Sequence, residues 1–138
     1  MQAAILNLKL KGYGQIVDRR RAIARLYNER LEDLKQLTLP PGPDDDPDHF
    51  DVYQNYELEA ENRDRLKAFL AGHGVGTLVQ WGGRAIHQFP ALGFGMNLPF
   101  TEALFERMLM LPMNMSLSDE DVRYVCEAIK EFYRESTK

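Results

Sequence analysis

The stretch Gly74–Leu92, GVGTLVQWGGRAIHQFPAL, reads as a buried strand running into a polar, glycine-rich loop. Thr77, Leu78 and Val79 favour a strand, because β-branched and bulky side chains pack well on a pleated surface. Gly82-Gly83 ends it and lets the backbone approach another group closely. The loop gathers Gln80, Trp81, Arg84, His87 and Gln88, and ligand contacts concentrate in such loops on short scaffolds. Arg84 is suited to fork onto a phosphate or carboxylate, Trp81 to stack on a base or sugar, and His87 to give or take a proton. Composition alone favours a blander alternative, a structural loop whose Trp packs on the sheet and whose polar groups satisfy the backbone.

Outward from this stretch the periodicities set the fold. Residues 2–37 form a long helical segment, with Ile16, Ile23, Tyr27, Leu31 and Leu34 at helical spacing and Arg19–Arg21, Arg25 and Glu29 mostly opposite. Gly12 and Gly14 predict a kink or break in it, since each costs roughly 1 kcal/mol relative to Ala inside a helix. The part before them (Ala3, Ala4, Ile5, Leu6, Leu8, Leu10) is apolar on more than one face. That predicts packing against another chain or a further part of this one, or else burial within the domain. Residues 39–48 are a solvated loop, with four prolines and an acidic run that lacks the spacing and closing Glu of a calcium loop.

Val52–Ala60 alternates, with Val52, Tyr56, Leu58 and Ala60 on the buried face and Tyr53, Asn55, Glu57 and Glu59 opposite. Asn62 caps a helix to about Ala71, with Leu66, Phe69 and Leu70 inward and Gly72 or Gly74 ending it. Thr101–Met108 is a short helix with Leu104 and Phe105 inward. Leu109–Met113 is a brief strand that Pro112 confines to an edge or an end. Ser118 with Asp121 opens a last helix whose inner stripe is Val122, Val125, Cys126, Ile129 and Phe132. The order predicts a single α+β domain over residues 1–138: a small, mostly antiparallel sheet of about three strands packed with helices, behind the long N-terminal helix.

Seventeen basic against 21 acidic residues give a net charge of −4, which argues against general nucleic-acid binding. No apolar run is long enough to span a bilayer, and Met1 leads directly into a helical pattern rather than a leader. One cysteine makes no internal disulfide, so a reduced, cytoplasmic setting is expected, with Cys126 an inert core thiol. No metal site is expected: His49, His73 and His87 lie far apart, with His49 in water and His73 an exposed cap at a helix end. The glycines match neither phosphate-binding spacing, and Ser116, Ser118 and Ser136 sit in no nucleophile context.

Several motifs in order carry a resemblance. GVGTLVQWGGRAIHQFPALGF and LPFTEALFERMLMLPMNMSLSDEDVRYVCEAIKEFY, with QAAILNLKLK, RRRAIARLYNERL and VYQNYELEAENRDRL, resemble the C-terminal small domain of DegT/StrS-type sugar aminotransferases. The branch acting on dTDP-linked 3-keto-6-deoxyhexoses is the nearest in its QWGG…HQF loop. The resemblance spans essentially the whole chain and about the last third of the family pattern. It implies a homodimeric pyridoxal-phosphate enzyme of the aspartate-aminotransferase fold type. Such an enzyme moves an amino group from glutamate to a keto nucleotide sugar. Gln80, Trp81, Gly82, Arg84 and His87 then become substrate-side candidates, His87 foremost.

The same resemblance implies limits. None of Lys9, Lys11, Lys35, Lys67, Lys130 or Lys138 sits in the family's Schiff-base context, so no catalytic residue is assigned and no cofactor is expected on this chain alone. Gln54 stands where many members carry His. The expectation is a substrate-side piece, inactive unless complemented by a large domain or a second subunit. The alternative is a stand-alone nucleotide-sugar-binding or dimerisation module.

Overall fold

The computed structural model describes residues 2–136. The N-terminal helical segment is two helices, α1 (Gln2–Leu10) and α2 (Tyr13–Leu31), broken at Gly12 as its glycines predict. No residue of α1 is buried, which removes the possibility that it is a core helix of this domain. α2 ends at Leu31, six residues before the expected end. Turn bonds from Leu34 N to Leu31 O and from Leu37 N to Leu34 O carry the chain out of the helix. Leu37 then enters a short strand, β1 (Leu37–Thr38), whose pairing with Ala60 and Glu59 outweighs the local helical spacing.

The sheet is antiparallel in the order β1-β2-β3, with β2 at Tyr56–Ala60 and β3 at Met108–Leu111. Tyr56 faces Leu111 and Leu58 faces Leu109 across the central pair. β2 starts four residues later than the alternation predicts. Tyr53 takes a left-handed backbone (φ 48°) and turns inward, where its hydroxyl donates to Pro41 O at 2.7 Å. Arg20 claims the carbonyls of Tyr53 and Gln54 that a ladder would have used. Pro112 lies just past the end of β3, as a residue without an N–H should.

α3 (Arg63–Gly72) begins after Asn62 as expected, but by a different device. Asn62 is left-handed (φ 55°), a conformation Asn tolerates, and its side chain makes no cap bond. The capping box of α5 (Asp119–Ser136) is formed: Asp121 N–H donates to Ser118 Oγ at 3.1 Å, and Ser118 N–H donates to Asp121 Oδ2 at 2.8 Å.

The core lies between the sheet and three helices. Ile23, Ala24, Tyr27 and Leu31 of α2, Leu66 and Leu70 of α3, and Val122, Cys126, Ile129 and Phe132 of α5 meet Tyr56, Leu58, Leu109 and Leu111. Each fully buried Leu or Ile contributes about 1.5–3 kcal/mol relative to exposure. The buried phenols are satisfied, Tyr27 donating to Pro112 O (3.0 Å) and Tyr56 to Asn28 Oδ1 (2.8 Å). Cys126 is buried in this core, and desolvation pushes its thiol up to about 12, as an inert thiol requires.

Candidate functional site

The strand expected at Gly74–Trp81 is reduced to one bridge. Leu78 exchanges backbone bonds with Met110 (3.1 and 2.8 Å) on the outer side of β3, and its side chain is 69% exposed. The glycines on either side explain the shortfall. Gly74 is left-handed (φ 73°), and from Trp81 three successive residues have positive φ (52°, 66° and 75°), so the extended run cannot continue. Trp81 is costly in that conformation, by roughly 1–2 kcal/mol, and the turn leaves its indole 72% exposed.

Gly83 is held from behind. A Cβ there would lie 3.4 Å from Arg63 Nη2 and 3.5 Å from Val79 Cγ1. Arg63 is itself buried and donates from Nη1 to Met108 O (2.9 Å) and Phe105 O (3.3 Å). The base of the Trp81–Gly83 turn therefore rests on a buried guanidinium fixed to β3 and to α4 (Pro99–Arg107).

Beyond the turn, short helical turns at Ile86–Gln88 and Pro90–Leu92 lead to α4. Between these turns and α4 lies a cleft of about 610 Å³, with walls that include Ile86, Phe89, Leu92, Leu98 and Phe105. Trp81, Arg84 and His87 line it as well. Arg84 is exposed and makes no hydrogen bond or ion pair among the described residues. His87 is the reverse, with 4% of its side chain exposed and Nε2 lying 3.0 Å from Glu102 Oε1. The same oxygen accepts the Leu98 N–H at 3.2 Å. Hydrogen bonding from His87 and then from Leu98 holds the Glu102 carboxyl below its ordinary range.

The structure thus brings together three of the sequence candidates, Trp81, Arg84 and His87. Gln80 and Gly82 belong to the turn and do not line the cleft. Gln88 is spent locally, accepting from Ala85 N–H at 2.9 Å. The sequence reading missed Glu102 and Arg63. An acidic residue in the first turn of a helix is a recognised signal and was present for Glu102; nothing in the sequence separates Arg63 from the other cations.

The other histidines lie elsewhere. His49 is exposed and paired with Asp46. His73 is half-buried rather than exposed, its ring stacked 4.2 Å from Phe69 and its Nδ1 2.9 Å from Phe69 O. Among the described residues no group of three His, Cys, Asp or Glu could hold a metal ion, and no helix is long and apolar enough to cross a membrane.

The chain is thus an α+β domain with an aromatic, arginine-bearing cleft beside its sheet, and comparison supplies the family. Residues 1–130 match the model of the DegT/DnrJ/EryC1/StrS aminotransferase family, and the chain belongs to that family. It is 36% identical, over 97% of its length and 37% of the relative's, to a "Pleiotropic regulatory protein" of Geobacillus stearothermophilus. It is 30% identical to the dTDP-3-amino-3,4,6-trideoxy-alpha-D-glucose transaminase of Streptomyces venezuelae, over 96% of this chain and 35% of that one. The crystal structure of S. venezuelae DesV in complex with a ketimine intermediate superposes with a TM-score of 0.85 at 29% identity, covering 96% of this chain and 36% of that one. The chain spans about a third of the length of these relatives.

Pyridoxal phosphate is the cofactor that this family implies. The residues of the cleft do not fit it: no lysine and no aspartate is among those lining it, so neither an amine to bind the aldehyde nor a carboxylate for the ring nitrogen is offered. No chemical step is derived through the cofactor from these residues.

Proposed function

We propose that the chain is the substrate-side part of a sugar aminotransferase, and that its cleft takes a keto nucleotide sugar of the dTDP-3-keto-6-deoxyhexose type. The observation that carries this reading is the pairing of an exposed Trp81 with an unpartnered Arg84 on an apolar cleft, in a chain of this family. Trp81 stacks on the base or sugar, Arg84 meets the diphosphate, and His87 lies against the sugar. The pyridoxal phosphate, which takes up the amine from glutamate, and the lysine that holds it belong to a large domain or a second subunit. The apolar helix α1, wholly exposed here, packs against that partner in a cytoplasmic homodimer.

A second reading, nucleotide-sugar binding without catalysis, is favoured by the absence of lysine from the cleft lining. Both are tested by titration, because Trp81 is the only tryptophan and its fluorescence reports on the cleft alone. A dTDP-sugar is expected to shift the emission saturably, and Arg84→Ala to weaken binding about 10- to 100-fold, the worth of a charge-assisted hydrogen bond. An emission spectrum unmoved by the dTDP-sugar would sink both readings. Transamination by a mixture of this chain with a lysine-bearing partner chain would select the first over the second.

A further inference from the structure

The cleft has two walls, and one atom joins them. Ile86, His87 and Phe89 stand on one side, and Leu98, Thr101 and Phe105 on the other. Glu102 is not itself part of the lining, yet its Oε1 lies 3.0 Å from His87 Nε2 and 3.2 Å from the Leu98 backbone nitrogen. No other hydrogen bond runs between these walls among the described residues. We infer that Glu102 is a positioning residue: its carboxylate ties the walls together and fixes His87 as the Nε2–H tautomer, so that a ligand meets Nδ1 as a hydrogen-bond acceptor.

Donor count decides which ring nitrogen carries the hydrogen toward Glu102. An ionised carboxylate only accepts hydrogen bonds, so the group 3.0 Å from Glu102 Oε1 must donate. The Leu98 N–H supplies one donor and His87 Nε2–H the other. The lowered carboxyl of Glu102 agrees with its being ionised at neutral pH. A neutral imidazole carries one N–H, so Nδ1 keeps its lone pair, and it has no partner among the described residues. In its neutral form His87 is therefore set to accept a hydrogen bond from a sugar hydroxyl at Nδ1.

The inference rests on the substrate reading above for the identity of the ligand, but not for the tautomer. The test is nitrogen-15 NMR of the imidazole in the whole chain, with and without the dTDP-sugar, for the native protein, Glu102→Gln and Glu102→Leu. The native protein is expected to show the Nε2–H pattern for neutral His87, with the ligand moving the Nδ1 resonance most. Glu102→Gln keeps an acceptor oxygen at the same place and should retain both the tautomer and an affinity within about threefold. Glu102→Leu should release the tautomer and weaken binding by about tenfold or more. A native His87 in the Nδ1–H form overturns the inference without recourse to any variant. So does a Glu102→Leu protein that keeps tautomer and affinity, or one that loses stability alone. Failure of the native protein to bind the dTDP-sugar, with the Nε2–H pattern intact, would instead overturn the substrate reading and leave the assignment of Glu102 standing.

Discussion

Residues 39–55 and residues 79–98 are both long and irregular, and the molecule holds them in opposite ways. The first is tied down through its backbone carbonyls. Arg20 donates to Tyr53 O (2.8 Å), Arg21 to Asp51 O (2.9 Å), Asn28 to Pro40 O (3.0 Å), and the Tyr53 hydroxyl to Pro41 O. Its exposed aromatic, Phe50, lies under the Arg21 guanidinium at 4.2 Å. The second region has its turn seated on Arg63 and its walls joined at Glu102, while Ile86, Leu92, Phe94 and Met96 stay exposed. Side chains that satisfy carbonyls turn an irregular segment into scaffold. A segment held at two points, with apolar groups outward, is free to serve a ligand or a partner.

Each region is most vulnerable at its seat, and Arg63 is the larger of the two. Arg63→Met keeps the bulk but orphans the carbonyls of Phe105 and Met108 and unseats Gly83. Urea unfolding should show a loss of about 2–3 kcal/mol, the cost of unpaired buried acceptors beside β3. The Trp81 emission change on adding ligand should fall with it. A loss under about 0.5 kcal/mol would mean that the turn does not depend on the guanidinium.

Arg20→Ala is the smaller break on the other side. It removes the donors to Tyr53 O and Gln54 O and should cost about 1–2 kcal/mol. Limited proteolysis should then cut first within residues 39–55. Ligand affinity should stay within about twofold, since the sites share no partner. A large fall in affinity would show the two regions to be coupled and would end the contrast.

How much of this was legible in the sequence divides along the same line. Helical and alternating periodicities located α2, α3, α5 and β2, because burial of one face is written directly into residue spacing. The break at Gly12, the capping box at Ser118 and the buried Cys126 were likewise local facts. Two misplacements share one cause, a distant partner, and a third is a backbone conformation that spacing does not show. β1 exists because Leu37 pairs with Ala60, β2 starts late because Arg20 takes two carbonyls, and Asn62 is left-handed between strand and helix. In the cleft, Trp81, Arg84 and His87 stood out by residue type within a glycine-rich loop. Glu102 reaches His87 from 15 positions away and Arg63 reaches Gly83 from farther still; the first-turn acidic signal marks Glu102 as a helix-start residue, but no local pattern reports either contact.

The smallest expected effect is also the cleanest separation, and it comes with acid. The carboxyls of Glu102 and Asp44 both lie below their ordinary values of 4.5 and 3.8, the first chiefly through the His87 hydrogen bond and the second through that of Arg25. A depressed carboxyl contributes stability that is present above its ordinary value and is lost as pH falls through its folded-state value. Acid therefore releases the clamp at Glu102 and the Arg25–Asp44 pair alike. The consequences differ. The Asp44 side chain is 67% exposed, and its loop keeps the bonds from Arg20 and Arg21 to backbone carbonyls, which do not titrate in this range. Among the described residues no second hydrogen bond ties the walls of the cleft. As the pH falls through the folded-state value of Glu102, an acid protease should accordingly cut first within residues 79–98, with residues 39–55 protected. Asp44→Asn should leave that order and the thermal midpoint unchanged. A first cut within residues 39–55 would show that the acidic loop is held by its charges after all, and that the arginine–carbonyl bonds are passengers.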